Sequence, residues 1–255
     1  MDPQIGGSSL ADKRHKPDPI GSWSMTEGLD EILKKSCHLM ARQGFHGTSM
    51  RDLAQATGRS LSGLYHYFRN KEDLLFLINF YGFKTLNETW ARIADNFEHP
   101  REKLYTFVYF HTAYFIEHMD EMRVMTWGTH ELHLEKATVI QKLKDRYTAA
   151  ARGIVRDVYQ ADKRMDLDER RSWRETYLLF GMMNWMFSWY SAKDHGGVSD
   201  LVGDIYRTFV SGISGNGRDQ IDIERLKSVV GKSFRENKAA SMWATTGESD
   251  HLEKS

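Results

Sequence analysis

Apolar side chains recur at helical spacing along most of this chain. Leu29, Ile32, Leu33, Cys37 and Met40 share one face of a first helix, predicted to run from an N-cap at Thr26 to Arg42. Gly44 ends it. Thr48 or Ser49 caps a second, short helix whose inward side is Met50, Leu53, Ala54 and Thr57, and Gly58 closes that one. A tight turn then leads to a third helix around Leu61–Phe68, with Leu64 and Phe68 facing inward. Asn70 caps a long helix from Lys71 to about Phe97, dense in Leu, Phe and Tyr, and His99-Pro100 breaks it.

Four more major helices are expected, over roughly 101–118, 130–160, 167–193 and 198–214, with a short helical turn near 121–127. Asp162–Asp168 and His195-Gly196-Gly197 supply the breaks. Residues 219–237 read as a further amphipathic helix carrying Ile221, Ile223, Leu226, Val229, Val230 and Phe234. No alternation long enough for a strand and no internal repeat is visible. The expectation is an all-α chain: a polar tail over 1–24, a three-helix unit over 25–72, a larger helical unit over 73–216 and an extension over 217–255.

Composition narrows the class. Of 255 residues 40% are hydrophobic and 27% charged, the profile of a soluble globular protein. The longest apolar runs, such as Leu74–Ile78, are far too short to span a bilayer. The single cysteine, Cys37, permits no intrachain disulfide, and the polar residues 1–24 resemble no leader peptide, so a cytoplasmic protein is expected. Formal charge is zero overall, yet Arg42, Arg51, Arg59, Arg69 and Lys71 face only Asp52 between positions 42 and 71. That local excess of four positive charges is either a solvated face or a phosphate-binding footprint.

Enzyme signatures are missing. His130-Glu131-Leu132-His133, with Glu135 nearby, spaces its histidines three apart, whereas a zinc-protease helix needs them four apart on one face. No phosphate-binding glycine loop, dinucleotide fingerprint or serine elbow is present, and neither a metal nor a cofactor is expected. Cys37 lies on the inward side of its helix, where a packed, inert thiol is expected.

Two short helices around a glycine-containing turn, behind a longer supporting helix, make the layout of a DNA-binding helix-turn-helix. Arg51, opposite Leu53 and Ala54, is placed to reach a guanine edge. Thr48 and Ser49 stand at a helix start that suits a phosphate. Arg59, Ser60, Leu61, Ser62 and His66 fall at the start and outer side of the third helix, while Tyr65, Tyr67 and Lys71 suit backbone oxygens. Read continuously, Gly44-Phe45-His46-Gly47-Thr48-Ser49-Met50-Arg51-Asp52-Leu53-Ala54 and Gly58 through Leu74, with its Leu-Tyr-His-Tyr-Phe-x-x-Lys core, resembles the N-terminal signature of the TetR family. The resemblance implies a homodimeric regulator that binds double-stranded DNA through its first three helices and senses a ligand with the rest. Leu61 stands where many members carry a basic or small polar residue, and Gly63 replaces a frequent threonine. Apolar contact with a thymine methyl can take the place of a phosphate contact there.

The second half is rich in aromatic residues at helical spacing, including Phe110, Tyr114, Tyr177, Phe180, Trp185 and Trp189. Such stripes form core, and an aromatic-walled cavity for a small hydrophobic effector is the sharper expectation for these six. The run Gly181–Tyr190 and the helix ending Phe209-Val210-Ser211-Gly212-Ile213 resemble the ligand domain of TetR regulators of fatty-acid and steroid catabolism, which implies an acyl-CoA thioester. Arg146, Arg152, Arg156, Arg170, Arg171 and Arg174 are the expected phosphate holders. Some relatives carry arginine where Ser188 stands. The helices over 167–193 and 198–214 are expected to pair across a two-fold axis. Two other jobs fit the same fold, a DNA-bound interaction protein without ligand and a multidrug-sensing repressor. A helical enzyme on a hydrophobic substrate would need convergent polar groups that the sequence does not show.

Overall fold

The computed structural model describes residues 27–162 and 167–214, and among them every regular element is helical. The tail over 1–24, the Thr26 cap, the segment 219–237 and the extension over 217–255 lie outside the described residues. The order is α1 (Glu27–Gln43), α2 (Met50–Thr57), α3 (Leu61–Tyr65), α4 (Lys71–Ala94), α5 (Pro100–Glu117), α6 (Met119–Trp127), α7 (Leu134–Asp162), α8 (Glu169–Asn184), α9 (Ala192–His195) and α10 (Val198–Ser214). Single 3₁₀ turns fill Gly128–Glu131 and Met186–Ser188.

Local chemistry sets the early boundaries. Ser49 and Asp52 form a reciprocal capping box, with Asp52 N–H donating to Ser49 Oγ at 3.2 Å and Ser49 N–H to Asp52 Oδ2 at 2.8 Å. Gly58 ends α2 with φ of 70°, a left-handed conformation that glycine adopts without strain. Ser60 Oγ accepts from Gly63 N–H at 3.0 Å and Asn70 Oδ1 from Asp73 N–H at 2.8 Å, starting α3 and α4.

The buried faces meet around α4. Leu74, Leu75, Phe76 and Leu77 are all fully buried, so the start of α4 is covered on every side. It packs on α7 and α6, while α1 packs on α6, and α7 on α5 and α8. Trp90 meets Phe107 edge-on at 4.9 Å, and Phe107 lies 5.4 Å from the ring of Tyr147. Each large apolar side chain enclosed in this way contributes about 1.5–3 kcal/mol. Cys37 is buried among them, and that burial pushes its thiol pKa up.

The helix expected from 130 begins at Leu134, after the 3₁₀ turn Gly128–Glu131, and three other expected boundaries differ. The long helix stops at Ala94 instead of Phe97, because Asn96 turns its amide onto the carbonyls of Arg92 and Ile93. The third helix closes at Tyr65, and Tyr67 and Phe68 both donate backbone N–H groups to Leu64 O in a tight turn. The single helix expected over 167–193 ends at Asn184. Ser188 Oγ donates to Trp185 O at 2.7 Å, and Arg123 of α6 donates to Phe187 O at 3.0 Å, drawing that carbonyl out of a helical ladder. Trp185 and Trp189 are therefore not one turn apart on a helix face.

Candidate nucleic-acid interface and helical cavity

The first three helices expose one polar, cationic surface. Leu64 is fully buried and Phe68 nearly so, which turns Leu61, Ser62 and Tyr65 of α3 outward. Arg51 projects from α2 and makes no ion pair among the described residues. Arg59 is exposed and sits 3.9 Å from Glu31. His66 caps α3, its ring edge-on to Tyr67 at 5.6 Å. Arg42, Arg51, Arg59, Ser62, Tyr65, His66 and Arg69 are all exposed, donors and cations of the kind suited to phosphate and base edges.

Other predicted contacts are committed inside the protein. Thr48 is buried and its hydroxyl donates to Gly44 O at 2.8 Å, so its side chain is not open to a phosphate. Ser49 and Ser60 are exposed but spend their hydroxyl oxygens on the caps of α2 and α3. Tyr67 is half-buried against α1 at Gly28. Lys71 donates from Nζ to Phe45 O at 2.7 Å and lies 4.6 Å from the Phe45 ring centre. It therefore stitches the turn that follows α1 to the start of α4. The sequence suggests Lys71 as a contact to DNA backbone oxygens; its side chain bonds inward because a carbonyl and an aromatic face await it there.

This surface is anchored to the remaining helices at defined points. His38 of α1 bonds Asp120 of α6 at 2.8 Å, and His46 bonds Glu131 at 2.9 Å. Glu72 and Asp73, in the first turn of α4, hold Lys136 of α7 at 3.2 and 2.5 Å. These bonds tie α1 and the turn after it to α6 and to Glu131, and the start of α4 to α7.

A cavity of about 250 Å³ lies among α4 to α8. Phe83 and Leu86 come from α4, His111 and Phe115 from α5, and Met122, Met125 and Thr126 from α6. Lys144, Tyr147 and Thr148 come from α7, and Tyr177, Phe180 and Asn184 from α8. One polar chain crosses it. His111 donates from Nε2 to Asn184 Oδ1 at 2.9 Å and accepts at Nδ1 from the Tyr147 hydroxyl at 3.1 Å. Burial drives the His111 pKa down to about 4, keeping the ring neutral, and drives that of Tyr147 well up. Lys144 donates to Thr129 Oγ1 at 2.8 Å above the Phe83 ring, and burial lowers its pKa.

Of the six aromatic residues expected at the cavity, Tyr177 and Phe180 line it. Phe110 stacks on Trp90, and Tyr114 packs against His118, its pKa pushed up to about 12 by burial. Trp185 and Trp189 are 58% and 44% exposed and face outward. Sequence reading missed the contributions of α4, α6 and α7, whose only signal was helical apolar spacing shared with ordinary core. The arginines expected for phosphates are absent from the lining. Arg152 pairs with Glu169 and Ser172, Arg171 with Glu175, while Arg146, Arg156, Arg170 and Arg174 are exposed. His130 and His133 do not converge with Glu135. His133 lies 3.6 Å from Glu72, and among the described residues no group of three or more His, Cys, Asp or Glu side chains gathers to hold a metal. None of the described helices is long and apolar enough to cross a membrane.

Comparison with known proteins agrees with this layout. A family model described as bacterial regulatory proteins, tetR family, matches residues 32–78. A second, described as the tetracyclin repressor-like C-terminal domain, matches residues 98–213, so the two together span well over half of the chain in their natural order. The HTH-type transcriptional repressor AcnR of Corynebacterium glutamicum is 31% identical over 70 residues, 28% of this chain and about a third (34%) of that relative's length. The solved TetR family regulator PfmR of Thermus thermophilus is 27% identical, with a TM-score of 0.64 over 73% of this chain and 99% of its own. AibR, solved with isovaleryl coenzyme A and operator DNA, shares the fold at 22% identity and a TM-score of 0.63, over 71% of this chain and 97% of its own. With the helix-turn-helix model matched over residues 32–78 and the C-terminal-domain model over 98–213, the chain belongs to the TetR family of transcriptional regulators.

Proposed function

We propose that this protein is a cytoplasmic repressor that binds a near-palindromic operator as a homodimer and is released by a small hydrophobic effector held among α4 to α8. Residues 25–72 would be its DNA-binding domain and 73–216 its ligand-binding and dimerisation domain. The observation that carries this reading is shared helices. Phe83 and Leu86 of α4 line the cavity, while Lys71 of the same helix, about 18 Å away by helical rise, holds the turn behind α2. Met122 and Met125 of α6 line it too, while Asp120 of that helix holds α1. An effector that prefers one arrangement of these helices would shift the spacing of the two recognition helices in a dimer.

The face for a second copy would lie along α8, where Tyr177, Leu178 and Gly181 are exposed with Trp185 just past its end, and α10 would complete it. AibR's complex with isovaleryl coenzyme A and operator DNA supports an acyl-CoA as the finer assignment of effector. A thioester here would bury only its acyl end and leave its nucleotide to outward arginines such as Arg170 and Arg174. The presence of a cavity favours sensing over the ligand-free interaction protein. Titration of a preformed protein–DNA complex with CoA thioesters, free acids and cationic drugs tests the assignment. Release by about 10–150-fold in affinity is expected, equivalent to roughly 1.4–3 kcal/mol of coupling. Release by drugs alone would favour a multidrug sensor, and release by nothing would favour the interaction protein.

A further inference from the structure

We propose that the cavity takes a small organic carboxylate of about ten heavy atoms, with its acid group against Lys144 and its apolar body among Phe83, Leu86, Phe115 and Met125. The inference rests on the reading that this cavity is the effector site, and from the lining itself it names a free acid as the effector's chemical class, in place of the thioester that the AibR complex suggests. Charge carries the argument. Other half-buried cations have acidic or carbonyl partners: Lys136 has Glu72 and Asp73, Arg101 has Asp162 and Arg152 has Glu169, while Lys71 and Arg123 donate to Phe45 O and Phe187 O. Lys144 is half-buried and has no carboxylate in ion-pair range among the described residues, and no acidic side chain lines the cavity. A charge withdrawn from water without a counter-charge is costly, and an incoming anion would relieve that cost.

Hydrogen-bonding capacity points the same way. An ammonium has three N–H donors, and Lys144 gives one to Thr129. The hydroxyls of Thr126, Thr148 and Tyr147 already donate, to Met122 O, Lys144 O and His111. Asn184 turns its oxygen to His111, which leaves its amide N–H groups as the neutral donors of the lining. A cation and an amide with spare donors suit a group that only accepts, and a carboxylate is such a group. Size limits the rest. An apolar cavity of roughly 150 Å³ takes benzene, so about 250 Å³ takes some ten heavy atoms.

Calorimetric titration of the full chain without DNA, using octanoate, 3-phenylpropionate, their amides, octylamine and octanoyl-CoA, tests the proposal. At least one carboxylate should bind about tenfold or more tighter than its amide, in line with a charge-assisted hydrogen bond, and octylamine should not bind. Lys144→Met should abolish the preference for the acid, keep binding of the amide and leave the melting temperature equal or higher, since an unmatched charge is removed. The proposal fails if acid and amide bind alike, if the preference survives in Lys144→Met, if octylamine or only octanoyl-CoA binds, or if neither carboxylate binds. Carboxylate binding without release of DNA would instead overturn the effector reading and leave this assignment standing.

Discussion

Mild acid should destabilise this protein through one buried imidazole. His111 is 2% exposed, and its neutral form is bonded on both sides, Nε2–H to Asn184 and Nδ1 from Tyr147. A second proton would break the bond from Tyr147 and place a charge in an apolar interior. Burial accordingly holds its pKa at about 4, against about 6.5 in an unfolded chain. The native state therefore binds fewer protons than the unfolded one across that interval. The contribution is complete above pH 6.5 and is lost as pH falls towards 4. A depression of some 2.5 units at 1.36 kcal/mol per unit amounts to about 3 kcal/mol, a large share of the roughly 5–15 kcal/mol that holds an ordinary domain together. Urea-unfolding midpoints from about pH 7 to about pH 4.5 for the native chain and His111→Leu would measure it. The variant should start about 1–3 kcal/mol less stable, because Tyr147 and Asn184 lose a partner, and the gap should close or reverse on acidification. If the two stability curves run parallel down to the lowest pH, the burial argument is wrong.

Lys71→Ala should lower stability by about 2 kcal/mol, from a charge-assisted bond to Phe45 O and a cation–ring contact. It should also weaken DNA binding uniformly across sequences, so a variant of native stability with altered base preference would contradict the inward placement of Lys71. Gly128→Ala should cost about 1–3 kcal/mol by overpacking, because an added Cβ would sit 2.6 Å from Cδ1 of fully buried Leu75. An unchanged urea midpoint for that variant would show that α4 yields freely at this contact.

Legibility in the sequence followed the range of the interactions involved. The end of α2 and the starts of α3 and α4 could be read because they are local: Gly58 adopts positive φ, and Ser60 and Asn70 bond to backbone three residues on. The residues alone allow either Thr48 or Ser49 as cap, and the capping box with Asp52 settles it for Ser49. The break after Asn184 could not be read, since no glycine or proline marks it and the decisive donor, Arg123, lies 64 positions from Phe187. The cavity was half legible for the same reason. Tyr177 and Phe180 stood out as aromatics, whereas Lys144 sits in Gln-Lys-Leu-Lys-Asp-Arg and reads as one more solvated cation. Only the approach of Phe83 from α4 and Thr129 after α6 shows it turned inward.

Selection of bound sequences from a random duplex pool tests the central claim most directly. The account predicts enrichment of a near-palindromic site whose half-sites lie about one helical turn, roughly 34–36 Å, or a multiple of it apart. Arg51→Ala should relax preference at one position in each half-site, and Tyr65→Ala should weaken binding to every sequence alike. Failure of the pool to enrich, or enrichment unchanged by both substitutions, would contradict DNA recognition through the exposed face of α2 and α3.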